Sequence, residues 1–154
     1  MKSFSKEKYT LIVSELRDRI LSAEVLASEK NVVFIESTAL QIRKILELIA
    51  YLSVLVNAEK LNHTERSEYH ASKVVEALIK KTTIFYPLPS HMIHPSSQTE
   101  QPVLIPLGYQ YALSQDNFRE AYKFCGSVLH AQHPLKKDLK IEEVFKKIGK
   151  YWSG

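Results

Sequence analysis

Several residue types and patterns are scarce in this chain, and each shortage excludes a class of protein. A single cysteine, Cys125, cannot form an internal disulfide, and this usage fits a reducing compartment. The four glycines build no phosphate-cradling loop, and the zinc-protease, serine-hydrolase and paired-cysteine motifs are absent. No apolar stretch of the signal-peptide kind follows Met1 to Lys6. We therefore expect a cytoplasmic protein that has no cofactor and no bound metal.

Long uninterrupted apolar helices are also missing, while positive charge is concentrated at one end. The most apolar segment, residues 32 to 56, is interrupted by charged residues, so we expect no membrane association. The net charge is +4, and residues 135–154 hold six lysines against three acidic residues. Such a segment can attract RNA or another acidic partner, although lysines are also ordinary on the solvent face of a helix.

The apolar pattern predicts one all-α domain over residues 1–154. A 3.6-residue stripe from Ser5 to Lys30 indicates a first amphipathic helix. The segment Val32 to Val56 is apolar over most of its circumference, which is typical of a helix covered by neighbours on several sides. The two helices follow each other almost directly, so we expect an antiparallel hairpin.

The remaining helices are predicted from their caps. Asn62 and Glu65 form a capping box, which predicts a third helix that continues to about Lys81. Ser114 is a suitable N-cap for a fourth helix to about Ala131, and Asp138 for a short C-terminal one. The bundle therefore has four main helices, and its predicted core is Val13, Leu16, Ile20, Ile45, Ile49, Leu52, Val75, Leu78, Phe118, Tyr122, Cys125 and Leu129.

Residues 84–113 interrupt the helical pattern with five of the six prolines. Apolar triplets such as Ile84 to Tyr86 and Val103 to Ile105 need burial, so we predict an ordered Pro-rich loop or short β-hairpin over the bundle. The polar middle, Ser90 to Gln101, is predicted to be its mobile part.

Two groups of charged residues are candidate binding sites. Glu36, Arg43 and Glu47 share a narrow arc of the second helix, where Arg43 can hold an anion or form a surface ion-pair strip. Arg66 and His70 have the i,i+4 spacing that places two side chains on one helix face, where they can hold a phosphate. Both groups are also compatible with a solvated surface.

A third candidate lies at the end of the fourth helix. His130 and His133 can act as a general base, and Lys123 can hold a phosphate in front of them. Cys125 lies on the apolar stripe, which favours a small core residue over a nucleophile. Gly126 within a helix predicts close packing against a neighbouring helix. We expect no metal here.

Three stretches resemble a group of uncharacterised small helical bacterial proteins: Ile42 to Ala50, Phe85 to Pro87 and Tyr122 to His130. The layout, with two long helices first and a histidine late in the fourth, also resembles the HEPN superfamily, several members of which are ribonucleases or toxins. This resemblance implies a helical fold and RNA as a partner.

The chain departs from the HEPN ribonuclease motif, which is an arginine, four to six residues and a histidine. Arg66 is too close to His70, and Lys123 stands at the arginine position before His130. Lysine does not reproduce the bidentate guanidinium. We therefore expect a non-catalytic helical interaction protein that forms a homodimer or binds another protein. The alternative is a HEPN-like protein that binds or cleaves RNA.

Overall fold

The computed structural model describes residues 5–29, 31–82, 90–93, 103–107, 113–130, 142–144 and 146–147. Its α-helices are α1 Lys6–Ala27, α2 Val32–Val56, α3 His63–Ser67, α4 Ala71–Ile79 and α5 Gln115–Leu129. A 3₁₀ turn spans Ala58–Lys60, and residues 142–144 and 146–147 are also helical. The strands are β1 Ser90–Ile93 and β2 Val103–Pro106. The predicted all-α bundle with a short C-terminal helix is confirmed.

Helix α2 is the centre of the bundle and has the bounds predicted from the sequence. The side chain of Asn31 caps its first turn by accepting from the backbone N–H of Val33. Helix α2 packs against α1, α4 and α5. Burial on these sides explains why apolar residues occupy most of its circumference. No helix in the described part of the chain is long and apolar enough to cross a membrane.

Helix α1 runs antiparallel to α2, and Arg19 of α1 donates to Gln41 of α2 at 2.8 Å. The prediction that Val13 and Ile20 belong to the core is wrong, because their side chains are 42% and 40% exposed. Ala23 is the buried residue of α1. Helix α1 packs mainly on α2, so only a narrow strip of its surface is covered.

The contiguous core joins α2, α4 and α5. It contains buried residues from all three helices together with Leu61 and Val144, and no described residue of α1 belongs to it. Of the predicted core, six residues are buried: Ile45, Leu52, Val75, Leu78, Phe118 and Cys125. Four others are half-buried: Leu16, Ile49, Tyr122 and Leu129.

The predicted third helix begins at the expected place but is interrupted. Asn62 and Glu65 form the predicted capping box. After α3, the Oε1 atom of Glu68 accepts hydrogen bonds from the backbone N–H groups of Tyr69 and His70. These N–H groups donate to a side chain and not to the carbonyl oxygens of a continuing helix. A new helix, α4, therefore begins at Ala71.

The Pro-rich segment contains the predicted hairpin, since β1 and β2 pair antiparallel with Ser90 opposite Pro106 and Ile93 opposite Val103. Strand β2 coincides with one predicted apolar triplet. Strand β1 falls in the segment predicted to be mobile, and the backbone groups of residues 90–93 pair with β2. The triplet 84–86 and residues 94–101 lie outside the described residues.

Helix α5 begins as predicted, because the Ser114 side chain accepts from the backbone N–H of Asn117. It ends at Leu129, and His130 has already left the helical conformation. Phe118, Cys125 and Val128 are buried against the other core helices. Asp138, the predicted cap of the last helix, lies outside the described residues.

Candidate functional site

Arg43 of α2 and Tyr122 of α5 form the centre of a polar cluster between the two helices. The guanidinium carbon of Arg43 lies 4.4 Å from the centroid of the Tyr122 ring. Its Nη2 atom donates to the Tyr122 hydroxyl at 3.1 Å. The cation therefore gains both a ring face and a hydrogen-bond acceptor from one side chain.

Glu47 completes this cluster as its acceptor. Its Oε1 atom receives hydrogen bonds from Nε of Arg43 at 3.5 Å and from the Tyr122 hydroxyl at 3.4 Å. Its Oε2 atom receives one from Nζ of Lys44 at 2.7 Å. The Glu47 side chain is only 14% exposed. We call Arg43, Lys44, Glu47 and Tyr122 the inter-helix polar cluster.

Gly126 makes room for this cluster. A Cβ atom at Gly126 would lie 2.8 Å from the Nη1 atom of Arg43, which is closer than real Cβ contacts. The sequence predicted close packing of this glycine against a neighbouring helix. The structure shows that the approaching group is the end of an arginine side chain.

Burial dominates the titration behaviour of the groups around Arg43. It raises the pKa of Tyr122, an effect opposed by the positive charge of Arg43 and reinforced by Glu47. Burial also raises the pKa of the Cys125 thiol to about 11, although Arg43 lowers it in part. Cys125 is therefore an uncharged core thiol at neutral pH, which disfavours a nucleophilic role.

The sequence predicted that Glu36 belongs to this cluster. In the structure Tyr122 belongs to it and Glu36 does not. Glu36 is exposed, and no ion pair or hydrogen bond of its side chain occurs within the described ranges. Tyr122 was expected only as a core residue. The i,i+4 spacing of Tyr122 and Gly126 was an available signal, because it places an aromatic ring beside a gap on one helix face.

Arg66 and His70 do not form the predicted i,i+4 pair, since the break between α3 and α4 separates them. The Nε atom of Arg66 donates to the carbonyl oxygen of Leu61 at 2.7 Å. The His70 ring lies against Tyr69, with 4.3 Å between the ring centroids. A shared phosphate site on one helix face is therefore not formed.

Lys123 of α5 and His130, which follows the last residue of α5, are both exposed. Neither side chain forms a hydrogen bond or ion pair with the part of the chain that the structure describes. No hydrogen bond from the His130 ring to a nearby carbonyl oxygen occurs among these residues. His133 lies outside them.

The basic C-terminal segment is described at five positions, of which two are lysines. Lys147 lies over the ring of Phe124, with Nζ 5.0 Å from the ring centroid. One positive charge of the C-terminal segment therefore lies against α5. Over the described ranges, no group of three or more histidine, cysteine, aspartate or glutamate side chains is placed to hold a metal ion.

Comparison with family models, with curated proteins and with solved structures gives no match to this chain. The structure places the described sequence candidates at separate locations: Arg43 and Glu47 in the inter-helix polar cluster, Glu36 exposed elsewhere on α2, Arg66 and His70 at the break between α3 and α4, Lys123 within α5 and His130 after its last residue.

Proposed function

We propose that this chain is a non-catalytic helical interaction protein that self-associates through one side of α1. The observation that carries this proposal is the poor burial of a long helix. Helix α1 has 22 residues, yet among them only Ala23 is buried. Its exposed side chains include large apolar ones that an isolated bundle would leave in contact with water.

Four of the five exposed large apolar side chains of α1 lie on one side of the helix, and the fifth, Leu11, lies outside that side. At about 100° per residue, Val13, Ile20, Leu21 and Val25 fall within an arc of about 140°, and Arg17 and Glu24 lie among them. Leu21 and Val25 are 52% and 70% exposed. We call these six residues the α1 outer face.

A second copy of the chain is the occupant that this face fits best. Consider two α1 helices packed antiparallel about a two-fold axis between Ile20 and Leu21. Arg17 and Glu24 are then equally far from the axis, so each arginine lies opposite the glutamate of the other copy. Neither side chain has an ion-pair partner elsewhere in the described residues. A two-fold interface needs this self-complementarity.

The state of the polar cluster supports a structural role over a catalytic one. Arg43, Glu47 and Tyr122 use one another as partners. Lys44 also pairs with Glu47. An anion entering the cluster would have to replace Glu47, whose carboxylate is already paired and mostly shielded from water. The cluster therefore serves to join α2 and α5. A cytoplasmic location is part of the same proposal and is supported by the unpaired thiol of Cys125.

The test measures the mass of the protein in solution by sedimentation equilibrium. We expect a dimer for the unaltered chain and a monomer for Leu21→Lys, because two buried ammonium groups would face each other across the axis. The matched control is Ser22→Lys, since Ser22 is an exposed α1 residue outside the outer face. A monomer for the unaltered chain at every concentration would refute the proposal.

A charge swap tests the orientation of the two copies. Arg17→Glu and Glu24→Arg should each weaken the dimer, since each change places like charges opposite one another. The double variant Arg17→Glu/Glu24→Arg restores opposite charges and should recover the dimer. A double variant weaker than both single variants would contradict the antiparallel pairing.

A second candidate function is RNA binding or cleavage by a HEPN-like protein of the toxin or defence type. The observation that favours it is the exposure of Lys123 and His130 near one end of α5. Lysine supplies charge for a phosphate, and histidine can transfer a proton near neutral pH. Single-stranded RNA incubated with purified protein tests this function. Cleavage that is lost in His130→Ala but kept in His70→Ala would support it, and intact RNA would exclude cleavage.

A further inference from the structure

An apolar groove lies between α1, α2 and the break after α3. Its volume is about 480 Å³, and its lining residues are Lys8, Leu11, Ile12, Tyr51, Val54, Leu55, Arg66, Glu68 and Tyr69. This volume is within the range of small-molecule sites. Lys8 and Ile12 are on the side of α1 opposite to the α1 outer face, and Leu11 lies outside the arc of that face. The groove is therefore a separate surface from the one proposed for self-association.

The groove has unpaired positive charge. Lys8 and Arg66 are exposed residues. Within the described ranges, Nζ of Lys8 and the two terminal nitrogens of Arg66 have no hydrogen-bond or ion-pair partner. Both cations can therefore receive an anion without breaking an existing contact.

The acidic residue of the groove is already engaged. Glu68 accepts from the backbone N–H groups of Tyr69 and His70 and lies 3.8 Å from Nζ of Lys73. These hydrogen bonds and the charge of Lys73 lower its pKa. The hydroxyl of Tyr51 is also used, since it donates to the carbonyl oxygen of Tyr69 at 2.9 Å. Apart from the Tyr69 hydroxyl, the polar side-chain atoms of the groove that have no partner within the described ranges are thus cationic.

We propose that this groove binds a small carboxylate with an unbranched apolar tail, of the medium-chain fatty acid class. The tail packs against Leu11, Ile12, Val54 and Leu55, and the carboxylate pairs with Lys8 and Arg66. Arginine matches a carboxylate because its two parallel N–H groups can donate to both oxygens. A ligand with only one of these two parts would use only half of the groove.

Titration of the protein with decanoate, followed by calorimetry, tests the site. Decanol and acetate are the matched probes, because the first has the tail without the charge and the second has the charge without the tail. We expect decanoate to bind more tightly than either. Shortening the tail should weaken binding by up to about fourfold per methylene removed. Decanol binding as tightly as decanoate would overturn the role of the cations.

Two lysines of the first turn of α1 provide a paired variant. Lys8→Gln should weaken decanoate binding by about fivefold and leave decanol binding unchanged. Lys6→Gln removes the same charge from an exposed residue that does not line the groove, and it should change neither. Leu11→Asp should abolish decanoate binding by placing a negative charge in the groove. Equal affinity for decanoate in all three variants, or no binding to the unaltered protein, would refute the proposal.

Failure of this site and failure of self-association can be told apart. Leu21→Lys changes the α1 outer face and should leave decanoate binding intact. Lys8→Gln changes the groove and should leave the mass in solution unchanged. A loss of decanoate binding in Leu21→Lys would mean that the site requires the second copy. That result would contradict the proposal that the groove of a single chain binds the ligand.

Discussion

Gly126 of α5 leaves the space that Arg43 of α2 occupies, since a Cβ atom at position 126 would lie 2.8 Å from Nη1 of Arg43. Moving the arginine aside would disturb the hydrogen bonds of its guanidinium to Tyr122 and Glu47. The glycine and the polar cluster are therefore one structural unit.

Gly126→Ala should destabilise the protein by about 1 kcal/mol. Displacing a packed side chain costs about 1–3 kcal/mol, and the better helix propensity of alanine returns about 1 kcal/mol. In an Arg43→Ala background the collision is gone, so the same change should stabilise by about 0.5–1 kcal/mol. Urea denaturation of the four proteins measures this reversal. A stabilising Gly126→Ala in the unaltered chain would show that Arg43 does not fill the space.

Tyr122→Phe should lower the free energy of unfolding by about 1 kcal/mol, because the hydroxyl accepts from Arg43 and donates to Glu47. Tyr69→Phe is the matched control. The Tyr69 side chain is 71% exposed, and its hydroxyl has no partner in the described part of the chain. That change should remain within about 0.5 kcal/mol. Equal effects in chemical denaturation would mean that the Tyr122 hydroxyl contributes nothing.

Stability should fall between pH 9 and pH 11 through Cys125. Its pKa is raised from an ordinary 9.0 to about 11, so folding favours the neutral thiol. The contribution is complete below pH 9 and is lost as the pH rises through the folded-state value, for a total of about 2–3 kcal/mol. Denaturation curves of Cys125→Ala should have a shallower fall over this range. An identical slope in both proteins would contradict the buried, neutral thiol.

Leu78→Ala should cost about 2–5 kcal/mol, because Leu78 is fully buried among α2, α4 and α5. Leu11→Ala removes the same atoms from a side chain that is 64% exposed, and its effect should be below about 1 kcal/mol. The comparison requires urea denaturation of both variants. A larger loss of stability for Leu11→Ala than for Leu78→Ala would mean that the core lies at α1 and not among α2, α4 and α5.

The sequence predicts the helix boundaries where the signal is local. Asn62 and Ser114 cap their helices as expected, because each side chain accepts from the backbone N–H three residues further on. The sequence predicts burial less well, because the burial of a residue depends on which elements pack against it. The apolar stripe of α1 contains Val13 and Ile20, but periodicity does not say how many helices will cover a stripe.

The polar cluster was predicted only in part, because some of its contacts are local and others depend on tertiary packing. Arg43 and Glu47 are four residues apart on one helix, so their pairing follows from helix geometry. Tyr122 belongs to a helix 75 residues further along the chain than Glu47, and its hydroxyl bridges the pair only because α2 and α5 pack together. Sequence spacing cannot give a contact that is created by tertiary packing.

The narrow covered strip of α1 has a consequence for how the protein opens. A helix that contributes nothing described to the contiguous core can detach while α2, α4 and α5 stay packed. Its amide hydrogens should therefore exchange with solvent faster than those of α4 and α5, although α1 is longer than either. Hydrogen exchange followed by mass spectrometry would measure this order, and slower exchange in α1 would contradict it. We therefore expect helix α1 to be the first cooperative unit to open, and pairing with a second copy would slow that opening.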